Sequence, residues 1–205
     1  MTGQPGNSNG HQRRRSATRA QLLVSGRELF VERGVENVSI DAITAAAGVA
    51  KGSFYNHFES RDALFEEILS STLREVLETF LAFSPDIDDP LELGLARSRH
   101  GFRTLLADPG ACRLLLRAGP ANPGGAIDRG LRFTLGEELK NAVALGSFSH
   151  LDPDLVYAAY FGVITQTIGR LLEQGEALDI DEGAAQLTQL CFAVLGLPHT
   201  SEEEC

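Results

Sequence analysis

The 205-residue sequence contains no tryptophan, one methionine and three cysteines. Cys112, Cys191 and Cys205 are too widely spaced for a disulfide framework or a zinc site, so we interpret them as thiols of a reducing cytosol. The longest apolar run, residues 155–164, is shorter than the roughly 20 residues that cross a bilayer. The polar amino terminus has no secretory signal pattern, and we therefore expect a cytoplasmic protein without a membrane partner.

The sequence also lacks the motifs that mark common enzyme sites. It has no Walker loop, dinucleotide fingerprint, HExxH motif or nucleophile elbow. Its five histidines are scattered, and no metal-ligand spacing occurs. These absences disfavour an enzyme, and we expect no cofactor, no metal and no catalytic residue.

Negative charge dominates the whole chain but not its first part. The formal net charge is −10, yet residues 1–61 hold eight Lys and Arg against five Asp and Glu, a net of +3. Residues 62–205 hold ten against 23, a net of −13. Because affinity for DNA depends on the local neutralisation of phosphates, the acidic total does not exclude a nucleic-acid partner.

Helical periodicity without any strand pattern predicts an all-α protein. We expect a disordered basic arm over 1–15, a three-helix domain over 16–62, a larger helical domain over 63–198 and an acidic tail over 199–205. Arg13, Arg14 and Arg15 of the arm either contact DNA or belong to a solvated tail. The predicted helices beyond residue 59 cover 60–83, 88–107, 109–118, 124–145, 153–174 and 181–196.

Residues 39–58 carry the most informative pattern. Ser39 is a suitable N-cap, and Gly48 can take the left-handed conformation that ends a helix. After this turn Phe54 and Phe58 lie four residues apart and face inward together. The polar residues that remain outside are Lys51, Ser53, Tyr55 and Asn56. Two short helices, the second apolar behind and polar in front, are typical of a helix-turn-helix that contacts DNA.

At this stretch the sequence resembles the TetR (tetracycline-repressor) family of transcription regulators. The matching residues are Leu29, Phe30 and Gly34, then Ser39 and Ile40, Ala46 to Val49, Lys51 to Phe58, and Ser60 to Phe65. The resemblance covers residues 16–65. It implies an amino-terminal helix-turn-helix domain and a helical domain for dimerisation and effector binding. The implied partners are a double-stranded inverted-repeat operator, a second copy of the chain and an unknown small-molecule effector.

Eight residues are candidates for contact with DNA: Ser39, Lys51, Gly52, Ser53, Tyr55, Asn56, His57 and Arg61. Lys51 and Asn56 have the longest reach and are candidates for base edges, and Ser53 for a base or a phosphate. Gly52 would let the helix backbone approach the groove. The resemblance places Tyr55, His57 and Arg61 on phosphates and Ser39 near the other backbone. Two structural alternatives stay open, since His57 could pack the end of the helix and Tyr55 could belong to the core.

Ala50 departs from the family pattern, in which Ser or Thr often stands at the N-cap of this helix. Loss of a side-chain cap typically costs about 0.5–2 kcal/mol. The alanine also removes a hydroxyl that could bind a phosphate. We therefore expect docking on DNA to depend more on Lys51 and Arg61.

Two carboxy-terminal helices are apolar over most of their circumference, so each must be covered on more than one side. The resemblance implies that the same two helices of a second subunit supply the cover, as a four-helix bundle. The alternative is a monomer core. The residues predicted for the dimer interface are Val156, Tyr160, Val163, Ile164, Thr167, Leu171, Leu187, Leu190, Cys191 and Val194.

A basic cluster interleaved with apolar residues lies near residues 91–117 of the acidic domain. It suggests a pocket for an acidic or amphipathic effector, lined by Arg99, Phe102, Arg103, Phe133, Tyr157 and Phe161. The alternative is that the arginines pair with surface carboxylates and the aromatic residues are ordinary core.

Together these features predict a sequence-specific transcriptional regulator, a repressor released from its operator by a small molecule. The alternative function is a helical protein-interaction adaptor that has lost DNA binding. The outward-facing polar residues of the second helix argue against the adaptor.

Overall fold

A computed structural model describes residues 8–118, 140 and 150–197. Eight α-helices are bounded within these ranges, together with 3₁₀ turns at Val35–Asn37 and Gly175–Ala177. The helices are α1 (Ser8–Arg33), α2 (Ile40–Ala46), α3 (Lys51–Tyr55), α4 (Arg61–Ala82), α5 (Pro90–Leu106), α6 (Pro109–Ala118), α7 (Pro153–Leu172) and α8 (Ile180–Val194). The described residues contain no strand, and the predicted all-α class is confirmed.

The chain divides into two compact units, Met1–Ile68 (unit 1) and Leu69–Cys205 (unit 2). The boundary falls inside α4, several residues later than the boundary predicted at 62/63. The predicted helix over 124–145 and the acidic tail over 199–205 lie outside the described residues, apart from Lys140.

Short polar and proline signals define the ends of the helices in unit 2. Asp89, Asp152 and Asp179 each accept a hydrogen bond from a backbone N–H of the following turn, at 2.8, 2.9 and 3.0 Å respectively. A carboxylate at this position satisfies an unpaired amide and favours the positive end of the helix. Pro90, Pro109 and Pro153 begin their helices, because a first-turn residue needs no N–H donor.

The first helix begins earlier than the sequence analysis predicts. α1 starts at Ser8, so residues 8–15 are helical and do not form a disordered arm. Residues 10–17 are all exposed, and the first buried side chain is that of Leu22. With no apolar periodicity in this segment, the helical propensity of glutamine and arginine was the only sequence signal for the early start.

Unit 1 is built around side chains from all four of its helices. Leu22 and Phe30 of α1, Ile43 of α2, Phe54 of α3 and Leu64 of α4 are each fully buried. The edge of the Phe30 ring packs against Phe65 at a centroid distance of 5.3 Å. This core holds the two short helices, which are too short to be stable in isolation.

Unit 2 has a separate core formed mainly by α5, α6, α7 and α8. Leu106, Leu114 and Leu187 are fully buried there, together with the thiols of Cys112 and Cys191. Burial raises the pKa of each thiol to about 12, so both remain protonated and unreactive at neutral pH. Both are free cysteines, which agrees with the interpretation of thiols outside a disulfide framework, while Cys205 lies outside the described residues.

Among the described helices, α7 meets the length and composition expected of a membrane span. Its mean hydropathy is 1.2 over 18 residues, of which 22% are buried. The apolar run considered in the sequence analysis was shorter than this helix. Because core helices of soluble proteins pass the same test, this result is weak evidence for a membrane span.

Candidate nucleic-acid interface

A short turn joins α2 to α3. The hydroxyl of Ser39 accepts a hydrogen bond from the N–H of Ala42 at 3.1 Å, which confirms the predicted N-cap of α2. Gly48 has a φ of 66°, the left-handed conformation that its position required. The N–H of Val49 then donates to the carbonyl of Thr44 at 3.0 Å, and this hydrogen bond ties the turn to α2.

The inner side of α3 is anchored by two phenylalanine rings. Phe54 is fully buried and Phe58 is 4% exposed, with ring centroids 5.7 Å apart. Their burial confirms the orientation predicted from their spacing. Ala50 is the N-cap of α3 and provides no side-chain hydrogen bond, also as predicted. The position of this short helix is therefore set by packing and not by a polar cap.

The outer side of α3 presents the polar residues. Lys51, Gly52, Tyr55 and Asn56 are exposed, and Ser53 is half-buried. Tyr55 is 54% exposed, and its ring makes a T-shaped contact with that of Phe54. This exposure excludes the alternative that Tyr55 belongs to the core. A Cβ added at Gly52 would meet nothing within 4 Å, so no part of the described protein covers this backbone.

His57 and Arg61 flank α3 on its carboxy-terminal side. His57 is partly buried, and burial together with the charges of Arg15 and Arg19 lowers the pKa of its imidazole. Arg61 donates from Nη1 to the carbonyl of Val38 at 3.3 Å and pairs with Asp62 at 3.1 Å. Both residues thus help to pack unit 1 while keeping part of their polar surface in solvent.

Asp41 is a residue of this surface that the sequence analysis missed. One of its carboxylate oxygens lies 2.8 Å from Nζ of Lys51. The hydrogen bond with Asp41, followed by its charge, raises the pKa of the lysine. The pair joins α2 to α3 across the turn. No sequence periodicity indicates such a contact, because it depends on the angle between two helices.

The structure corrects half of the predicted dimer interface. Val156, Tyr160, Leu171, Leu187 and Cys191 are buried in the core of unit 2, so their side chains pack within the subunit. Val163, Ile164, Thr167 and Val194 are partly buried, and Leu190 is 45% exposed. A helix that is apolar all round gives no periodicity from which to choose the inner face, and the sequence analysis chose the wrong one for these five.

Apolar and small residues are exposed on both α7 and α8. Leu155 is 67% exposed and Leu190 is 45% exposed. Ala158, Ala159 and Ala193 are also exposed, and a Cβ added at Gly162 would meet nothing within 4 Å. We call this surface the α7–α8 face. Its residues are among those that the described part of unit 2 leaves at least partly exposed.

The predicted effector residues are not brought together as one pocket. Arg99 and Arg103 lie four residues apart on the exposed side of α5, and Arg103 pairs with Asp181 at 2.8 Å. Phe102 lies on the other side of α5, buried against Phe80. Tyr157 and Phe161 contact each other at a centroid distance of 5.2 Å, and Phe133 lies outside the described residues. The pairing of Arg103 with a surface carboxylate agrees with the alternative interpretation.

Within the described part of the chain, no group of three or more His, Cys, Asp or Glu side chains is placed to hold a metal ion. The main candidate site is therefore the polar outer face of α3, which forms a two-helix motif with α2 and packs on the core of unit 1. This arrangement defines a helix-turn-helix protein.

Comparison with known proteins agrees with this class. Residues 22–68 match the family model described as bacterial regulatory proteins, tetR family. The HTH-type transcriptional repressor DhaR of Mycobacterium sp. (strain GP1) is 38% identical over 76 residues, which cover 37% of this chain and 38% of DhaR. The sequence match therefore spans well under half the length of that curated relative.

Solved structures extend the likeness to the whole fold. The fatty acid degradation regulator FadR from Bacillus halodurans matches with a TM-score of 0.67 and 18% identity, over 85% of this chain and 94% of FadR. RolR in complex with resorcinol matches with a TM-score of 0.53 and 27% identity, over 92% of this chain and 98% of RolR. Residues 22–68 therefore belong to the tetR family of bacterial regulatory proteins, and the likeness of the rest of the chain to the solved structures is one of fold.

Proposed function

We propose that this protein is a sequence-specific DNA-binding transcriptional regulator of the cytoplasm, a repressor that a small molecule releases from its operator. The observation that carries the proposal is the outer face of α3. Lys51, Tyr55 and Asn56 project from a helix whose inner side is fixed by two buried rings. A rigid base with exposed hydrogen-bonding groups suits contact with base edges in the major groove.

The length of α3 fits this role. Five helical residues at about 1.5 Å each span less than the roughly 12 Å width of the major groove. The open backbone at Gly52 supports a close approach of the helix to DNA. Ser39, Ser53, His57 and Arg61 surround α3 and remain candidates for phosphate contacts in this proposal.

A homodimer through the α7–α8 face would place two such helices on one operator. Exposed leucines together with small residues favour the close packing of helices from a second copy. Two-fold symmetry then requires an inverted repeat, with half-sites roughly 34–36 Å apart or a multiple of that distance.

The effector part of the proposal rests on unit 2. RolR, which shares this fold at 27% identity, was solved with resorcinol bound. Tyr157 and Phe161, whose rings contact each other, remain candidate ligand contacts, whereas Arg99 and Arg103 face solvent. We therefore expect an effector bound through apolar and aromatic contacts more than through these arginines.

The direct test is a selection of bound fragments from a genomic library with the full-length protein. We expect the recovered fragments to share an inverted repeat, and their binding to weaken steeply as salt rises, because each neutralised phosphate releases counterions. Recovery of no enriched sequence, with a stable dimer, would instead favour the protein-interaction adaptor.

Asp41→Asn is expected to strengthen the binding of any duplex several-fold. The change removes a negative charge from the DNA-facing surface and frees Nζ of Lys51, which Asp41 holds at 2.8 Å. Fluorescence anisotropy with one selected and one mixed-sequence duplex measures the effect. Glu32→Gln is the matched control, since this exposed residue of α1 pairs with Arg33 at 3.5 Å. Equal affinities for Asp41→Asn and the wild type would show that the pair does not restrain Lys51.

A further inference from the structure

The amino-terminal part of α1 continues well beyond the core of unit 1. The segment from Gly10 to Ala17 is entirely exposed, yet it is helical and carries Arg13, Arg14 and Arg15. The function proposed above does not use these residues. Their position relative to α3 indicates what they do.

This segment lies along the carboxy-terminal end of α3. Nη2 of Arg15 donates to the backbone carbonyl of Asn56 at 3.3 Å. One turn further along α1, the guanidinium of Arg19 lies over the ring of Phe58, 4.7 Å from its centroid. A hydrogen bond and a cation–π contact therefore hold the basic side of α1 against the carboxy-terminal end of α3.

Two adjoining open grooves run between α1 and the end of α3. The first, of about 620 Å³, is lined by His11, Gln12, Arg15, Ser16, Arg19 and His57. The second, of about 450 Å³, is lined by Arg14, Arg15, Thr18, Ser53, Asn56 and His57. Because they share Arg15 and His57, we treat them as one α1–α3 groove. Its lining includes Ser53 and Asn56, so it is continuous with the outer face of α3.

The positive charge of this groove is only partly neutralised. Arg19 forms a two-pronged ion pair with Glu67 of α4, and this pair raises the pKa of the arginine. Arg14 and Arg15 form no ion pair with any residue that the structure describes. Unpaired guanidinium groups in a concave surface attract an anion with several phosphate or carboxylate oxygens.

We propose that the α1–α3 groove is a second DNA-binding surface, which holds the sugar–phosphate backbone next to the base pairs contacted by α3. This inference rests on the proposed function. An extended polyanion suits the groove better than a single phosphate, because the groove is open and continuous with the candidate base-contacting residues. Arg14 and Arg15 would each pair with a phosphate, and His57 would donate to one of them.

This arrangement makes DNA binding depend on pH. Four residues of α1 share the groove with His57, namely His11, Arg14, Arg15 and Arg19. Two acidic residues are nearby: Glu67 of α4 pairs with Arg19, and Glu59 lies two residues after His57 in the sequence. In the free protein, burial and the charges of Arg15 and Arg19 lower the pKa of His57. A phosphate in the groove would place a negative charge beside the imidazole and so raise the pKa of His57. Binding therefore takes up a proton, and affinity rises as pH falls between the two pKa values.

The experiment compares Arg15→Gln with Arg33→Gln on a mixed-sequence duplex at low ionic strength. Both arginines are exposed residues of α1, but Arg33 lies at the opposite end of the helix from the groove. We expect Arg15→Gln to weaken binding about tenfold. The slope of log affinity against log salt should fall by about 0.9 for each subunit bound. Arg33→Gln should bind with wild-type affinity and slope.

A second arm follows the pH dependence of binding from about pH 8 to about pH 5.5, across the usual titration range of histidine. The wild type and His150→Gln, which changes an exposed histidine of unit 2 outside the groove lining, should bind more tightly as pH falls, whereas His57→Gln should lose most of this dependence. NMR titration of His57 should show its pKa rising when the duplex is added. Inorganic phosphate alone, at a concentration equal to that of the duplex phosphates, should raise the pKa of His57 much less than the duplex does.

The outcomes separate this inference from the proposed function. If the wild type binds no duplex at low salt, the proposed function itself fails. If the wild type binds but Arg15→Gln keeps its affinity and salt slope, the second surface is overturned while α3 remains the contact. A full rise in the pKa of His57 with inorganic phosphate, but none with DNA, would assign the groove to a small anion and also overturn the inference.

Discussion

Gly162→Glu is expected to turn a dimer into a monomer and to weaken binding to an inverted repeat by about a hundredfold or more. In the isolated subunit a Cβ added at this position meets nothing within 4 Å, so we expect the subunit to fold normally. In a dimer the same side chain would separate two closely packed helices and place a carboxylate in an apolar contact. In a dimer, binding of one subunit brings the other close to its half-site, so the second binding event has a high effective concentration. A monomer loses this gain, which is commonly about 10²–10⁴ in affinity.

Leu190→Glu should have the same effect from the neighbouring helix of the α7–α8 face. Leu81→Glu is the matched control, because Leu81 is 47% exposed, close to the 45% of Leu190, but lies on α4. Sedimentation measures the oligomeric state, and anisotropy with a selected inverted repeat measures binding. If Gly162→Glu and Leu190→Glu both remained dimers, the α7–α8 face would not be the interface.

Gly101→Val is expected to destabilise unit 2 by about 3 kcal/mol, at the upper end of the range for overpacked cores. The ring of Phe80 lies directly against the Cα of Gly101, so any Cβ at this position would overlap the ring. Phe80 in turn packs edge-on against Phe102 at 5.4 Å, which leaves little room for the ring to move. Gly101→Ala should cost less, since alanine recovers up to about 1 kcal/mol of helix propensity.

Gly94→Ala provides the control for this pair on the same helix. Its Cβ would lie 3.4 Å from Cζ of Phe192, an ordinary contact, so the substitution should be neutral or stabilise α5 slightly. Urea unfolding followed by circular dichroism, at one fixed protein concentration, measures all three variants. Equal unfolding midpoints for Gly101→Ala and Gly94→Ala would contradict the packing argument.

Much of the candidate interface follows from local rules that act within a few residues. Ser39 caps α2 because a hydroxyl can accept the unpaired amide two or three residues on. Gly48 turns the chain because its backbone can take a positive φ, and Phe54 and Phe58 are buried together because they are one helical turn apart. Each of these features is visible in the sequence without knowledge of distant residues.

Features that depend on how separate helices meet could not be predicted in the same way. The pairing of Asp41 with Lys51, and of Arg15 with the carbonyl of Asn56, requires the angles between helices. The inner face of α7 was also ambiguous, because apolar residues surround the helix. What distinguishes its outer face is the small size of Ala158, Ala159 and Gly162, a signal that hydrophobic periodicity does not record.

The central claim is that the outer face of α3 contacts DNA, and one comparison tests it most directly. A fragment recovered by selection is titrated with the wild type and with the double variant Lys51→Ala, Tyr55→Phe. These side chains are exposed, so the fold and the dimer should be unchanged, as circular dichroism and sedimentation can check. We expect the double variant to lose binding to the fragment. Wild-type affinity in a correctly folded double variant would contradict the central claim.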